Sequence, residues 1–138
     1  MFHTKDRTTS IGLLVLRVGM SALLFLKHGW PKALNFAERT QTFSDPLGVG
    51  SGMSLTLVVF AEFVCSTLVA LGLLTRLACI PIIIFTLVAV FVQHAADPFA
   101  KKELAIVYGI SYLALLLTGP GRFSFDALIG RWWSGKRK

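Results

Sequence analysis

Seven polar side chains that can move or stabilise charge stand within or beside long apolar segments of this 138-residue chain. They are Arg17, His28, Glu62, His94, Glu103, Tyr108 and Tyr112. Histidine and tyrosine can exchange protons with a ligand, and an arginine can stabilise a developing anion. A charge near the middle of a bilayer costs at least about 2.5–3.5 kcal/mol, so ionisable residues in such segments are candidates for a functional site.

Arg17 and Glu62 each interrupt an apolar block as a single charge. Arg17 lies eleven residues from His28, the predicted outer end of the first helix, and Glu62 lies nine from Met53, that of the second. Both depths come to roughly 14–17 Å, so we expect the two side chains to meet. Two interpretations stay open: a salt bridge that only docks two helices, or a charged floor beneath a polar pocket.

The other candidates gather in the outer half of the predicted bundle. His28 ends the first apolar helix, His94 ends the third, and Glu103 opens the fourth. Tyr108 and Tyr112 are one turn apart and face the same way. Singly, these are ordinary helix-end and membrane-interface residues. Together they predict a pocket open toward the outer leaflet, which suits a quinone headgroup or another small amphipathic ligand without choosing between them.

Other kinds of site have less support in the sequence. The histidines and glutamates lie on four different predicted helices without a local ligand spacing, so no metal site is expected. No nucleophile motif, phosphate-binding loop or dinucleotide fingerprint is present. Cys65 and Cys79 form no CxxC pair and are interpreted as small apolar filler. No residue set for haem, iron–sulfur or flavin is present, so no covalently bound cofactor is expected.

The composition of the chain predicts the helices that carry these residues. Hydrophobic residues make up 54% of the chain and charged residues only 15%, against about 25% charged in ordinary soluble domains. The apolar residues form four long blocks and leave too little polar surface for a soluble domain. We predict an all-α integral membrane protein: an antiparallel four-transmembrane-helix bundle with a C-terminal amphipathic interfacial helix, as one domain over residues 1–138.

The predicted spans cover about residues 11–30, 53–74, 77–94 and 101–118. The connection after the second span is short, which forces an antiparallel hairpin and favours Thr75 as a helix N-cap. Residues 124–133 place apolar side chains at i, i+3, i+4 and i+7 before a basic tail, a pattern typical of a helix in the membrane interface. Those side chains are Phe125, Leu128, Ile129 and Trp132.

The formal charge is +7, and the basic residues are divided unevenly between the two sides of the predicted bundle. This division predicts how the chain is oriented in the membrane. The side predicted to hold both termini has eight basic residues: Lys5, Arg7, Arg76, Arg122, Arg131, Lys136, Arg137 and Lys138. The opposite side has five: Lys27, Lys32, Arg39, Lys101 and Lys102. The positive-inside rule then places both termini in the cytoplasm. No basic stripe is interleaved with exposed aromatic residues, so nucleic acid is not an expected partner.

An ordered set of short motifs resembles one family. The motifs are Leu16-Arg17-Val18-Gly19, His28-Gly29-Trp30-Pro31-Lys32, Ala61-Glu62, the run LGLLTR at 71–76, and the run LTGPGRFS at 117–124 with Asp126. In this order the chain resembles the DoxX family of small bacterial membrane proteins. The resemblance implies a four-helix bundle in a bacterial inner membrane. It also implies kinship with proteins linked to thiosulfate:quinone oxidoreductase and to membrane complexes that handle oxidative stress.

One position departs from the family pattern. Cys65-Ser66 stand where a glycine pair often follows the glutamate of the second helix, which leaves open how closely that helix packs on its neighbour.

Two functions fit these observations. The first is a redox-associated membrane subunit that binds a quinone or similar small molecule between its helices, with any electron-carrying cofactor on a partner protein. The second is a non-enzymatic membrane scaffold or small-solute carrier, for which Phe125, Leu128 and Trp132 matter more than His28 and His94. The expected partners are the lipid bilayer, redox partner proteins and a second copy of the chain.

Overall fold

A computed structural model describes residues 2–136, with side chains from residue 6 onward, and the regular elements in this range are helical. The longer helices are α1 over residues 2–34 (Phe2–Leu24, a π-helical turn at Phe25–Gly29, and Trp30–Leu34), α2 Ser51–Leu71, α3 Thr75–Gln93, α4 Phe99–Thr118 and α5 Phe125–Gly135. A single helical turn, Phe36–Arg39, lies in the connection after α1. Two further π-helical turns lie within α2 at Phe60–Cys65 and at the end of α3 at Ala89–Gln93.

Three of these helices are long and apolar enough to cross a membrane: Asp6–Leu34, Ser51–Leu71 and Thr75–Gln93. The chain is therefore an all-helical membrane protein. α4 has 20 residues, but three charged residues in its first turns shorten its apolar stretch. A fourth span by α4 stays a prediction, which requires Lys101 and Lys102 to extend toward the headgroups.

The helices bury both small and large side chains in their core and leave many large apolar side chains exposed on the outside. Leu26, Ile110 and Leu117 are 62%, 64% and 71% exposed, a surface that hydrocarbon tolerates and water does not. The buried core consists of Leu24, Ala61, Cys65, Val69, Ala78, Cys79, Ile82, Tyr108, Tyr112 and Leu115. Small residues at such contacts let helix backbones approach closely.

Neighbouring helices run antiparallel. α1 packs on α2, with residue 29 beside residue 62 and residue 17 beside residue 70. α3 packs on α4, with residue 86 beside residue 109 and residue 76 beside residue 117. We call the side with the start of α1 and with α5 the terminal side, and the side with the connections 35–50 and 94–98 the loop side.

A close backbone contact at Gly29 sets the register of α1 against α2. A side-chain carbon at this position would lie 2.5 Å from the carbonyl oxygen of Glu62, so only glycine fits there. Cys65 and Ser66 are 2% and 0% exposed, so α2 packs closely here even with those two residues in place of a glycine pair.

The predicted contact between Arg17 and Glu62 is wrong. Arg17 lies twelve residues before Gly29, which is about 18 Å along α1 and brings it to the far end of α2. The depth count failed because α1 does not end at His28 but continues to Leu34, so the two charges lie at different levels of the membrane.

Arg17 instead joins three segments on the terminal side. Its guanidinium is 1% exposed and donates to the carbonyl oxygens of Val69, Ala70 (2.6 Å) and Phe123. The first two carbonyls belong to the last turn of α2, where helix carbonyls lack partners within the helix. α2 ends immediately after them at Gly72, whose φ of 71° is the left-handed conformation that glycine adopts most readily.

Asp126 of α5 caps the start of α3. Its carboxylate accepts the backbone N–H groups of Leu74 (2.7 Å) and Thr75 (2.9 Å), while its own N–H donates to the carbonyl of Gly72 (2.8 Å). The predicted N-cap at Thr75 is therefore wrong: Leu74 occupies the cap position, and a carboxylate distant in sequence supplies the acceptor. Ser124 is the N-cap of α5, and its hydroxyl accepts the N–H of Ala127.

The apolar side chains of α5 are exposed, including Phe125, Leu128 and Trp132 at 49%, 55% and 58%. Its place in the membrane interface stays a prediction. Among the basic residues used to predict the topology, Arg137 and Lys138 lie outside the described residues, as does the side chain of Lys5.

Candidate functional site

A cavity of about 380 Å³ lies among α1, α2, α3 and α4 on the loop side. Most of its wall is apolar, with residues such as Leu24, Val58 and Phe85. The polar side chains in the wall are His28, Lys32, Ser44, Glu62, Gln93, His94, Lys101 and Tyr108. A mainly apolar cavity with a few convergent polar groups is the usual form of a small-molecule site.

A buried ion pair joins two helices in this wall. Lys32 Nζ lies 2.6 Å from Glu62 Oε2, and the side chains of Lys32 and Glu62 are 16% and 1% exposed. Glu62 lies on the π-helical turn of α2, and Lys32 lies one turn beyond His28 on α1. A carboxylate this deeply buried requires a cationic partner, because an unpaired charge in a low-dielectric interior is strongly disfavoured.

His28 and Tyr108 stand next to this pair. Their rings meet edge to face with centroids 5.9 Å apart, and Tyr108 is 4% exposed. The π-helical turns of α1, α2 and α3 contribute His28, Glu62 and Gln93 to the cavity wall. Such turns occur frequently at functional sites, where the extra residue redirects side chains.

The mouth of the cavity is formed by polar groups at the end of α3. His94 Nδ1 lies 2.7 Å from Asp97 Oδ2, and this hydrogen bond lowers the pKa of the Asp97 carboxyl below its ordinary value. Gln93 Nε2 donates to Ser44 Oγ at 3.2 Å, which ties the end of α3 to the connection between α1 and α2. The Gln93–Ser44 hydrogen bond therefore joins the connection 35–50 to the end of α3 beside the cavity.

Asp45 fixes the same connection to the start of α2. Its carboxylate accepts the N–H groups of Val49 (2.9 Å) and Gly50 (2.8 Å) and the hydroxyl of Ser54 (2.8 Å). These bonds, the Ser54 hydroxyl foremost, lower the pKa of the Asp45 carboxyl. The neighbouring residues Phe43 and Pro46 are thereby held in the cavity wall.

The structure brings together four of the seven predicted site residues: His28, Glu62, His94 and Tyr108. Tyr112 lies one turn deeper on α4, where its hydroxyl shares a 3.0 Å hydrogen bond with Ser21 in the core. Glu103 is exposed outside the cavity wall, and Arg17 lies on the terminal side. The expectation that Glu103, Tyr112 and Arg17 line one pocket with the others is therefore wrong; a ligand-binding role for the other four stays a prediction.

Sequence reasoning did not place Lys32 in the site; it used this residue as a topology charge and as part of a family motif. One signal could have found it: Lys32 is four residues after His28, so a continued helix places both side chains on one face. Pro31 concealed this, because proline usually marks the first turn of a new helix. No sequence signal places Ser44 or Phe43 in the wall, since both depend on the path of an irregular connection.

Metal binding has no geometric support within residues 6–136. No group of three or more His, Cys, Asp or Glu side chains that could hold an ion together occurs in that range. His94 and Asp97 form a pair of their own, and Glu62 is occupied by Lys32.

The fold and the cavity define a class: a small helical membrane protein with a buried ion pair in the wall of a loop-side cavity. The sequence profile of the DoxX family matches residues 12–95. The chain therefore belongs to the DoxX family, and the resemblance found in its motifs is confirmed.

Two curated proteins illustrate the relationship. The chain is similar to the inner membrane protein YqjF of Escherichia coli, with 32% identity over 127 residues, which is 89% of this chain and 95% of that protein. It is also similar to an uncharacterized membrane protein of Mycobacterium tuberculosis, with 34% identity over 86 residues, 51% of this chain and 52% of that protein. No solved structure matches the chain with significant similarity.

Proposed function

We propose that this DoxX protein is a redox-associated membrane subunit that binds a quinone, or a similar small amphipathic molecule, in the loop-side cavity. The observation that carries the proposal is the buried Lys32–Glu62 pair in a cavity wall that is otherwise mainly apolar. An apolar wall accepts a ring, and a small number of charged and hydrogen-bonding groups orients it.

The polar groups match the chemistry of a quinone headgroup. Lys32 Nζ, the Tyr108 hydroxyl and the His28 imidazole are donors suited to carbonyl oxygens. Reduction of a quinone takes up two electrons and two protons, and Glu62 and His28 are among the groups in the wall that can hold and release a proton. The electrons would come from a partner protein, because the chain offers no residue set for a redox cofactor.

We also propose which membrane holds the protein and how the chain is oriented in it. Four spans, α1 to α4, place both termini on one side, and the positive-inside rule makes that side the cytoplasm. The similarity to a protein named as an inner membrane protein supports a bacterial inner membrane. The cavity then opens toward the opposite leaflet, where donors from outside the cytoplasm would reach it.

The test is a binding titration of the purified protein in nanodiscs with a tailless benzoquinone. We expect saturable binding that Glu62→Gln and Lys32→Gln each weaken by about tenfold or more, since each removes a charged group from the cavity wall. Glu103→Gln and Lys27→Gln make the same chemical changes at exposed positions outside the wall and should bind like the unmodified protein.

The melting temperature of each variant, measured in the same nanodiscs, separates loss of binding from loss of fold. Absence of saturable binding to the unmodified protein, or equal binding by all four variants, would overturn the proposal. That result would favour the alternative function, a scaffold or small-solute carrier.

A further inference from the structure

A second cavity adjoins the first and differs from it in chemistry. It has a volume of about 330 Å³ and lies between α2 and α3, beneath the connection that follows α1. Its wall is apolar except for the Ser54 hydroxyl, which is already bonded to Asp45. No charged side chain lines it, in contrast to the polar cavity.

The two cavities share part of their walls. The residues that line both are Phe43, Pro46, Val58, Phe85 and Val88. Two of these belong to the connection held by Asp45, one to α2 and two to α3. The apolar cavity is therefore a direct neighbour of the polar one along the seam between α2 and α3.

The apolar cavity is open to the membrane. Its wall includes Leu57, Phe60 and Ile84, which are 50%, 46% and 55% exposed on the outer faces of α2 and α3. These helices span the bilayer by length and composition, so such faces meet hydrocarbon. A molecule could thus extend from the polar cavity into the bilayer along this seam without crossing a polar surface.

We infer that the seam between α2 and α3 holds the apolar tail of the ligand whose head occupies the polar cavity, an inference that rests on the proposed function. The ligand is then a membrane-soluble molecule with a polar ring and a hydrocarbon or prenyl tail, and it enters sideways from the bilayer. Hydrocarbon already solvates such a tail, so the seam contributes orientation and an exit path and adds little affinity of its own.

A steric test follows from this geometry. Ile84→Trp and Leu57→Trp fill the seam, and Ile110→Trp adds the same bulk on the lipid-exposed face of α4, outside both cavities. We expect the two seam variants to weaken binding of a quinone with a ten-carbon tail by about tenfold or more, because the added ring occupies the path that the tail takes while the head is in the polar cavity. Binding of the tailless benzoquinone should stay within about twofold, and Ile110→Trp should affect neither ligand.

The outcomes separate this inference from the proposed function. If both seam variants bind both quinones as the unmodified protein does, the tail lies elsewhere and only the inference falls. If they weaken both quinones equally, the seam shapes the head site and holds no tail, which also overturns it. If the unmodified protein binds neither quinone, the proposed function fails and the inference fails with it.

A crosslinking measurement on the unmodified protein tests the inference independently of whether the seam variants fold. A quinone with a diazirine at the end of its tail, irradiated with the unmodified protein, should label α2 and α3 near Leu57 and Ile84. Labelling that is spread evenly over the lipid-exposed helices, or confined to α4, would place the tail in bulk lipid and contradict the inference.

Discussion

Lys32 and Glu62 depend on each other for their place in the cavity wall. The side chain of Glu62 is 1% exposed and that of Lys32 is 16% exposed, so Glu62 has little access to water and Lys32 has some. Removal of one partner from a buried pair costs about 3–5 kcal/mol, because the other charge is left uncompensated. Removal of the Lys32 charge and removal of the Glu62 charge should therefore lower the stability of the protein by different amounts.

We predict that Lys32→Met destabilises the protein more than Glu62→Gln, since only the former leaves a fully buried charge without a partner. The double variant should recover most of the loss, which makes the two effects non-additive. Thermal unfolding in detergent measures all three. Additive effects, or a larger loss for Glu62→Gln, would contradict a paired role.

Part of this residue arrangement could be predicted from the sequence. His28, His94 and Tyr108 lie at one end of the bundle. Counting residues from the predicted end of each helix was enough to place them there. The partner of Glu62 could not be found in this way. It depends on the register that the Gly29 contact sets and on the continuation of α1 through a π-helical turn, neither of which has a periodic signature.

At the scale of elements, the terminal side is held together by polar contacts between distant segments. Arg17 of α1 binds the end of α2 and the segment before α5, and Asp126 of α5 caps α3. The residues involved belong to the short motifs that carry the family resemblance. Sequence reasoning placed the run LGLLTR at the connection between two spans and Arg17 within the first span, but it could not show that these motifs contact one another, because such pairing is tertiary.

We predict that Asp126→Ala lowers the free energy of unfolding by about 0.5–2 kcal/mol, the usual cost of losing a helix cap. Hydrogen exchange should accelerate at the N–H groups of residues 74–78 and within α5. Asp6→Ala is the control, because it removes only the exposed pair with Arg122, and such pairs contribute little. Equal exchange in both variants would show that Asp126 does not cap α3.

In the whole molecule, the proposed orientation places the cavity and the termini on opposite sides of the membrane. The lengths of the apolar segments in α1, α2 and α3 could be predicted from composition alone, because hydropathy along the chain shows how long each apolar segment is. The fourth span could not be settled by the same measure, because Lys101, Lys102 and Glu103 interrupt its start. The proposed orientation rests on an excess of eight basic residues on one side over five on the other.

Thiol labelling tests this orientation in a Cys65→Ala/Cys79→Ala background, where both native thiols are removed from the core. We predict that Gln41→Cys on the loop side reacts with a membrane-impermeant reagent in intact spheroplasts. Ser134→Cys on α5 should react only after lysis. The reverse pattern would place the cavity toward the cytoplasm, and labelling of both in intact cells would mean that α4 does not cross.

The central claim is that the cavity beside Lys32 and Glu62 holds a small ring-bearing ligand. A high-resolution density map of the protein extracted gently from its native membrane tests it most directly. We predict a planar density within hydrogen-bonding distance of Lys32 Nζ or the Tyr108 hydroxyl, with a tail along the seam between α2 and α3. A cavity that contains only ordered water, with the ion pair unchanged and a partner protein bound elsewhere, would contradict it.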